Sequence, residues 1–175
     1  MPFRRVGVLN HPTNVSDGAR HVIGVISDTH GLVRADVHVA LAGVELILHA
    51  GDVGDDEILD ELGLIAPVQA VYGNTDAPGR PRLAPAIDVS VGGVSIHVSH
   101  GHEVGLPTPA KLLERYSADV IIYGHTHRPL IARGADRLVV NPGAAGPRRF
   151  DIMPSVARLI IARGRAEAEL IDLRA

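Results

Sequence analysis

The chain has 175 residues and a formal net charge of −3, from 17 basic and 20 acidic side chains. This near-neutral charge gives no electrostatic footprint for duplex nucleic acid or an anionic membrane surface, so it favours a small substrate. Cysteine is absent, which excludes disulfides and thiolate metal sites and leaves nitrogen and oxygen atoms as metal ligands.

The length predicts one domain, because domains commonly contain about 100–200 residues. We place it at residues 21–175, after a leader at residues 1–20 that is polar and rich in turn formers from residue 10 onward. The N-terminus lacks the apolar core of about 7–15 residues found in signal peptides, and no later run approaches the ~20 residues of a membrane span. We therefore expect a cytoplasmic protein.

Strands and helices alternate through the first half of the chain. Strands are predicted at residues 21–26, 44–49 and 67–71, and helices at residues 32–41 and 55–64. A β-α-β-α-β order of this kind gives parallel strands joined by right-handed crossovers. The carboxyl ends of these strands should therefore lie along one edge of a sheet.

The second half of the chain adds antiparallel strands. Residues 77–85, rich in proline and arginine, indicate a surface loop, and Gly92-Gly93 indicates a two-residue hairpin turn. Further strands are predicted at residues 86–91, 94–99, 120–123, 130–132, 138–140, 155–162 and 165–173, with a helix at residues 107–116 and a turn at Gly134. We expect the strands after residue 127 to form a second sheet packed on the first, with helices on the outer faces.

Five of these strands end in a turn that carries glycine and a polar side chain able to bind a metal. The candidate ligands are Asp28, His30, Asp52, Asn74, His100, His125 and His127. Taken singly, each has an ordinary structural explanation, such as a helix N-cap, a turn residue or a hydrogen-bonded histidine. Alternate residues of an extended segment point the same way, so Asp28 with His30 can share an ion. The repetition at five strand ends favours a metal site.

Seven ligands are more than one ion requires. An ion that keeps a position open for water or substrate takes roughly three or four protein ligands, so this set with one shared carboxylate suits two ions. Two ions about 3.5–4 Å apart can deprotonate a bridging water and stabilise both the entering and the leaving oxygen of a phosphoryl group. Mn²⁺ is the favoured ion, and Fe²⁺, Co²⁺, Ni²⁺ or Zn²⁺ would suit the same ligand types. The chemistry predicted is phosphoester hydrolysis.

A hydrolase that uses a protein nucleophile is the competing enzyme class. Ser27, Ser95 and Ser99 are present, but none lies in a GxSxG turn. The chain also lacks the GxxxxGK[ST] motif of phosphate-binding loops. Covalent catalysis therefore has little support in the sequence.

The motif order DxH, GD, GN, GH and GHxH, from Ile23 to about Arg148, resembles the calcineurin-like metallophosphoesterase superfamily. Residues 48–52, 100–102 and 118–127 are most similar to its YfcE-type phosphodiesterase branch. The resemblance implies an α/β fold, a four-layer αββα sandwich of two mixed β-sheets flanked by helices. It implies one metal held by Asp28, His30, Asp52 and His127, and a second held by Asp52, Asn74, His100 and His125. Asp52 would then bridge the two.

The chain departs from the family pattern at two positions. Thr75 stands where many superfamily phosphatases have a histidine that protonates the leaving group, and a hydroxyl is too weak an acid for that role. Ala144 stands where the branch usually has serine, so we predict no substrate contact there. The departure at position 75 favours a phosphodiesterase for small substrates, acting through a metal-bridging hydroxide.

The catalytic residues predicted are Asp52, Asn74 and His102, the last as a proton donor from the neighbouring strand end. His49 and His102 are also candidates for contacts around the metal ligands, although satisfied, non-catalytic histidines are the commoner case. Arg148 is a candidate phosphate contact. The alternatives are a phosphomonoesterase or nucleotidase of the same superfamily, or a non-catalytic scaffold similar to the retromer subunit with this fold. No partner beyond the substrate is indicated, and a homo-oligomer, dimer or tetramer, stays open.

Overall fold

The computed structural model describes residues 18–174. The leader predicted at residues 1–20 therefore lies almost entirely outside the described residues, and the single-domain boundary stays a prediction. Within the described part of the chain, no helix is long and apolar enough to cross a membrane.

Strands dominate the described residues, and the α-helices are short. The elements are β1 (Arg20–Ile26), α1 (Ala35–Ala40), β2 (Leu46–His49), α2 (Asp56–Gly63), β3 (Val68–Val71), β4 (Leu83–Ala84), β5 (Ile87–Val91), β6 (Val94–Val98), α3 (Pro109–Arg115), β7 (Val120–Ile122), β8 (Leu130–Gly134), β9 (Arg137–Asn141), β10 (Ser155–Ala162) and β11 (Arg165–Asp172). A 3₁₀ turn at His102–Val104 lies between β6 and α3. These elements follow the predicted order with shorter helices, except that β4 was not predicted.

The first sheet has the strand order β11-β10-β1-β2-β3-β4. The four strands from β1 to β4 run parallel, as the β-α-β-α-β pattern predicts. The prediction that residues 77–85 form only a loop is wrong, because β4 pairs with β3 there. This edge strand is two residues long, since prolines on both sides limit the pairing.

The C-terminal hairpin also joins the first sheet, so its predicted place in the second sheet is wrong. Strand β10 pairs antiparallel with β1, from Arg20 opposite Ala162 to Val25 opposite Ala157. The physical reason is that β10 is apolar on both faces: Val156 packs in the core under the helices, while Leu159 packs in the core between the sheets. Only a sheet covered on both sides accepts such a strand.

The second sheet has the order β5-β6-β7-β9-β8. Strands β5 and β6 form the predicted hairpin, in which Gly92 and Gly93 both have positive φ, as a type I′ turn requires. The turn predicted at Gly134 lies one residue later, at Ala135 and Asp136, because Gly134 still pairs with Arg137 in the ladder.

Four layers result from the packing of these elements. Residues of both sheets, among them Leu48 and Val140, fill the core between them. Helices α1 and α2 bury Val37 and Leu62 on the outer face of the first sheet. Helix α3 buries Leu112 on the outer face of the second. The αββα sandwich is thus confirmed, and the carboxyl ends of β1, β2, β3, β6 and β7 supply the site described next.

Candidate metal centre

The strand-end turns of the candidate site hold non-glycine residues in the left-handed region. Five of the seven predicted ligands have φ between 44° and 68°: Asp28, His30, Asp52, His125 and His127. This conformation costs an L-residue roughly 1–2 kcal/mol, so such residues persist only where their surroundings hold them. Strain of this kind is concentrated at functional sites. The extended segment predicted from Asp28 to His30 is wrong, because both residues have left-handed φ and converge through a turn.

Backbone hydrogen bonds tie these turns to one another. The amide of Asp28 donates to Gly51 O at 2.9 Å, and the amide of His30 donates to Asp52 O at 3.0 Å, which joins the turns after β1 and β2. The amide of Gly124 donates to His100 O at 3.0 Å and joins the turns after β7 and β6. These hydrogen bonds therefore fix the ligand positions at the carboxyl ends of the strands.

The first ligand group contains Asp28, His30, Asp52 and His127, whose ligand atoms all lie within 4.8 Å of one another. His127 Nε2 is 3.0 Å from Asp28 Oδ1 and 3.4 Å from His30 Nε2. Asp28 Oδ1 is buried and has no hydrogen-bond partner among the described residues. Because an unpartnered buried carboxylate oxygen is costly, this donor set fits a divalent cation.

The second ligand group converges on an amide oxygen. Asn74 Oδ1 lies 3.0 Å from His100 Nε2 and 3.0 Å from His125 Nδ1. Asp52 Oδ2 lies 3.3 Å from His100 Nε2 and 3.7 Å from His30 Nε2, so it faces both groups. The structure thus brings all seven predicted residues together, and their binding of metal stays a prediction.

Each carboxylate uses one oxygen to fix its position. Asp28 Oδ2 accepts from Ser27 Oγ at 2.6 Å and from the amide of His125 at 3.2 Å. Asp52 Oδ1 accepts from the amide of Thr75 at 2.9 Å. Burial opposes ionisation of Asp52, but hydrogen bonds from His100 and Thr75 outweigh it and lower its pKa well below the usual range. The second oxygen of each carboxylate remains directed into the site.

The imidazoles are arranged to expose one nitrogen each. His100 Nδ1 is 2.7 Å from Ala50 O, so it carries the proton and leaves Nε2 facing the ligand groups. Burial lowers the pKa values of His30 and His125, although the carboxylates of Asp28 and Asp52 act in the opposite direction. Burial also acts to lower the pKa of His100, but the neighbouring carboxylates of Asp52 and Asp28 raise it further than burial lowers it. A bound cation would take the place of that proton.

His49 does not line the ligand groups and instead supports the turns beneath them. Its Nδ1 accepts from the amide of Gly51 at 3.1 Å, and its Nε2 lies 2.9 Å from Thr29 Oγ1. Thr29 Oγ1 donates in turn to Val53 O at 2.8 Å. Burial lowers the pKa of His49 to about 4, so the ring is neutral with its proton on Nε2.

Two supporting residues were missed in the sequence. Asp76 is buried and accepts from the amides of Val53, Gly54 and Gly73 at 2.9–3.0 Å, which joins the turns after β2 and β3. Asn141 donates through Nδ2 to Gly124 O at 2.9 Å and to Thr126 Oγ1 at 3.0 Å, and so fixes the turn that carries His125 and His127. Their positions in the sequence were the available signals, since Asp76 follows the GN motif and Asn141 ends β9.

The remaining predicted residues surround the ligand groups. The ring of His102, in the 3₁₀ turn, lies 5.3 Å from the ring of His100 and 6.3 Å from that of His125. Arg148 lines a small recess beside His127 together with Ala144. Ser27 is committed to Asp28 and Ser95 to Asp119, so neither serves as a free nucleophile.

The fold and the ligand set define a metallophosphoesterase. The model of the calcineurin-like phosphoesterase superfamily domain matches residues 22–164, and the chain belongs to this superfamily. The resemblance found in the sequence is thereby confirmed.

Relatives with known names agree with this assignment. A Methanocaldococcus jannaschii protein named a probable metallophosphoesterase is 38% identical over 172 residues, covering 93% of this chain and 87% of that protein. A protein of the same organism named a phosphodiesterase is 31% identical over 139 residues, covering 69% of this chain and 82% of that protein. The structure of vacuolar protein sorting 29 from Cryptosporidium parvum superposes with a TM-score of 0.74 at 20% identity, covering 89% of this chain and 99% of that one. The last likeness concerns the fold alone.

Proposed function

We propose that the protein is a binuclear metal-dependent phosphodiesterase that acts on small phosphodiesters. The observation that carries the proposal is the position of Asp52, whose Oδ2 lies 3.7 Å from His30 Nε2 in the first ligand group and 3.3 Å from His100 Nε2 in the second. One carboxylate oxygen thus faces both groups, as two ions with a shared ligand require.

Each ligand group would bind one divalent ion. Mn²⁺ is favoured, and Fe²⁺, Co²⁺, Ni²⁺ or Zn²⁺ are the alternatives. Asp28, His30 and His127 would hold one ion together with Asp52. Asn74, His100 and His125 would hold the other, again with Asp52. When bound, such ions lower the pKa of water to near neutrality and stabilise the charge that develops on a phosphoryl group.

Residues around the second ligand group favour a diester as the substrate. Thr75 acts through its backbone amide, which donates to Asp52 Oδ1, and its hydroxyl is too weak an acid to protonate a leaving alkoxide. His102 lies beside the same group and is the side chain we assign to the leaving-group oxygen as a hydrogen-bond donor. A diester whose leaving group is stable as an anion needs no stronger acid than this to release it.

Metal reconstitution tests the proposal. Protein freed of metal with a chelator is titrated with Mn²⁺, and bound metal per chain and hydrolysis of bis(4-nitrophenyl) phosphate are measured. We expect two ions per chain and activity that appears only with metal. His125→Asn should lose both the second ion and the activity, whereas His21→Asn, in β1 and paired with Glu45, should lose neither.

The same experiment separates the alternatives. Faster hydrolysis of an alkyl phosphomonoester than of the diester would favour a phosphomonoesterase or nucleotidase. Metal binding without hydrolysis of either ester, or no metal binding, would favour a non-catalytic scaffold.

A further inference from the structure

A carboxylate closes the 3₁₀ turn that follows β6 and carries His102. Glu103 Oε2 accepts from the amide of Gly101 at 2.8 Å, so this side chain bonds back to the residue before the turn. The amides of Val104 and Gly105 donate to Gly101 O at 3.2 Å and to His102 O at 3.0 Å. The turn is therefore held by one of its own side chains as well as by its backbone.

The same carboxylate is also held by Tyr116, the residue that ends α3. Tyr116 Oη donates to Glu103 Oε1 at 2.9 Å. Arg115 Nε donates to Tyr116 Oη at 3.3 Å, so the phenol keeps its own proton for Glu103. Both oxygens of Glu103 are thus engaged, one by the turn and the other by the end of α3.

Tyr116 is itself anchored to the second sheet. Its ring stacks on the ring of the buried His97 in β6, with 3.8 Å between the ring centroids and an angle of 25° between the ring planes. His97 Nδ1 lies 2.8 Å from Asp88 Oδ1 in β5. Arg137 in β9 donates to the carbonyl oxygen of Tyr116. Contacts with three strands therefore fix the position of the phenol.

Glu103 is ionised at neutral pH. Burial acts to raise the pKa of this side chain, but the polar groups around it, the Ser99 hydroxyl first among them, lower that pKa below its usual value. An ionised carboxylate only accepts hydrogen bonds, as both of its contacts with donors require. Hydrogen bonds to a charged acceptor are also stronger than those between neutral groups.

His102 depends on this turn for its position beside the second ligand group. Its Nδ1 is buried, has no hydrogen-bond partner among residues 18–174 and lies 3.9 Å from Glu103 Oε2. The centroid of its ring is 5.3 Å from that of His100. Because no described residue bonds to Nδ1, the placement of the ring follows from the turn that carries it.

We propose that Glu103 is a positioning residue for His102: anchored by Tyr116, it holds the 3₁₀ turn so that the imidazole stays directed at the leaving-group oxygen of a phosphodiester. This inference rests on the phosphodiesterase function proposed above. When the P–O bond breaks, its electron pair stays on the leaving oxygen, and an N–H held close to that oxygen stabilises the charge. A small displacement of the donor lowers the rate, and most strongly for a basic leaving group.

Two esters that differ in the basicity of the leaving group separate positioning from general damage. Methyl 4-nitrophenyl phosphate and methyl phenyl phosphate carry the same charge and the same methyl group, but phenolate is more basic than 4-nitrophenolate. We expect Glu103→Ala with Mn²⁺ to lower kcat for the phenyl ester about tenfold more than for the nitrophenyl ester, with KM little changed. A loss of metal or of folded protein would lower both by the same factor.

Conservative variants provide the matched controls. Glu103→Gln keeps an oxygen that can accept a hydrogen bond, so it should retain most of the kcat that Glu103→Ala loses. Tyr116→Phe keeps the ring on His97 and removes only the phenol donor, so it should show the same dependence on the leaving group to a smaller extent. Glu114→Gln, at an exposed position in α3, should change the hydrolysis of neither ester.

A double variant tests whether Glu103 acts through His102. In a His102→Gln background, Glu103→Ala should cause no further loss that depends on the leaving group, because there is no longer a donor to position. Equal losses for the two esters in Glu103→Ala would overturn the inference. An undiminished further loss in the double variant would overturn it as well.

NMR of the metal-free protein gives a readout that does not depend on activity. In Glu103→Ala the amide of Gly101 should exchange its hydrogen about tenfold faster than in the wild type, and the imidazole C–H resonances of His102 should shift. Both should remain at their wild-type values in Glu114→Gln, and wild-type values in Glu103→Ala would contradict the inference. If the wild type hydrolyses neither ester with Mn²⁺, the proposed phosphodiesterase function fails, and the NMR measurement alone decides whether Glu103 fixes the turn.

Discussion

Gly73 lies directly against the carboxylate of Asp52, where an added Cβ would fall 2.0 Å from Asp52 Oδ1 and 2.4 Å from the Asp52 amide nitrogen. Both distances are far below van der Waals contact. Because packed interiors yield little, any side chain at position 73 must displace the carboxylate that faces both ligand groups. The glycine before Asn74 is therefore required by the geometry of Asp52.

Gly73→Ala should accordingly weaken metal binding and activity by about 10–100-fold, the usual effect of disturbing the support of a metal ligand. Bound metal per chain and kcat/KM for bis(4-nitrophenyl) phosphate are the measurements. Gly63→Ala is the matched control, because Gly63 ends α2 with open space around its missing Cβ. That control should keep full activity and gain up to about 1 kcal/mol in stability. Normal metal content in Gly73→Ala would show that the carboxylate has room to move.

A comparison of two carboxylates tests whether Asp52 serves both ions. Asp52→Asn removes charge from both ligand groups, so we expect metal content and activity at saturating Mn²⁺ to fall together. Asp28→Asn removes charge from the first group alone and should leave the ion held by Asn74, His100 and His125. Metal stoichiometry by elemental analysis distinguishes the two variants. If Asp52→Asn retains near-normal turnover, Asp52 is not a shared ligand.

The ligands could be predicted from the sequence because position in a parallel sheet determines where a strand end lies. Asp28, Asp52 and Asn74 follow three successive parallel strands, so their convergence needs no knowledge of side-chain packing. The roles of His49 and Asp76 were harder to predict, since they depend on hydrogen bonds between separate turns. Asp76, for example, accepts from the amide of a residue 23 positions earlier. No local pattern encodes such a pairing.

The sheet assignment of the C-terminal hairpin failed for a related reason. The sequence shows where the two strands of the hairpin begin and end. However, β10 pairs with the free edge of β1, which is more than 100 residues away in the chain. Which edge stays free depends on how the first strands have already paired. Apolar residues on both faces of β10, including Val156 and Leu159, were the one local sign of a sheet covered on both sides.

Acid should destabilise the fold through His49. Burial lowers the pKa of this imidazole to about 4 in the folded protein, against about 6.5 in the unfolded chain. The unfolded chain therefore binds the proton more readily, and stability falls as the pH drops from 6.5 to about 4, by about 3 kcal/mol in all. Above pH 6.5 this contribution is fully present.

Urea unfolding of metal-free protein between pH 7.5 and pH 4 measures this effect. His49→Asn, whose amide oxygen can still accept from Gly51, should show a shallower loss of stability over that window. His38→Gln, in α1, controls for the loss of a histidine nearer the surface. An unchanged slope in His49→Asn would mean that the acid sensitivity arises from other groups.

The choice between diesters and alkyl monoesters should depend on Thr75. An alkyl monoester produces a strongly basic alkoxide that gains about 10²–10⁴-fold from a general acid, whereas an aryl diester releases a stable phenolate. Position 75 already places its backbone amide on Asp52 Oδ1, so a histidine there keeps that bond and brings an acid to the site. We expect the wild type to hydrolyse bis(4-nitrophenyl) phosphate well and glycerol phosphate weakly. Thr75→His should raise kcat/KM for glycerol phosphate by up to about 10²-fold.

Thr75→Val is the matched control for this test, since it keeps the shape and the backbone amide and removes only the hydroxyl. It should still hydrolyse the diester, because the backbone amide that donates to Asp52 Oδ1 remains and the hydroxyl is not the proposed proton donor. His102 is the competing proton donor, as its ring lies 6.3 Å from that of His125. If the wild type already prefers glycerol phosphate and His102→Gln abolishes that preference, then the acid is His102 and position 75 does not set the substrate class.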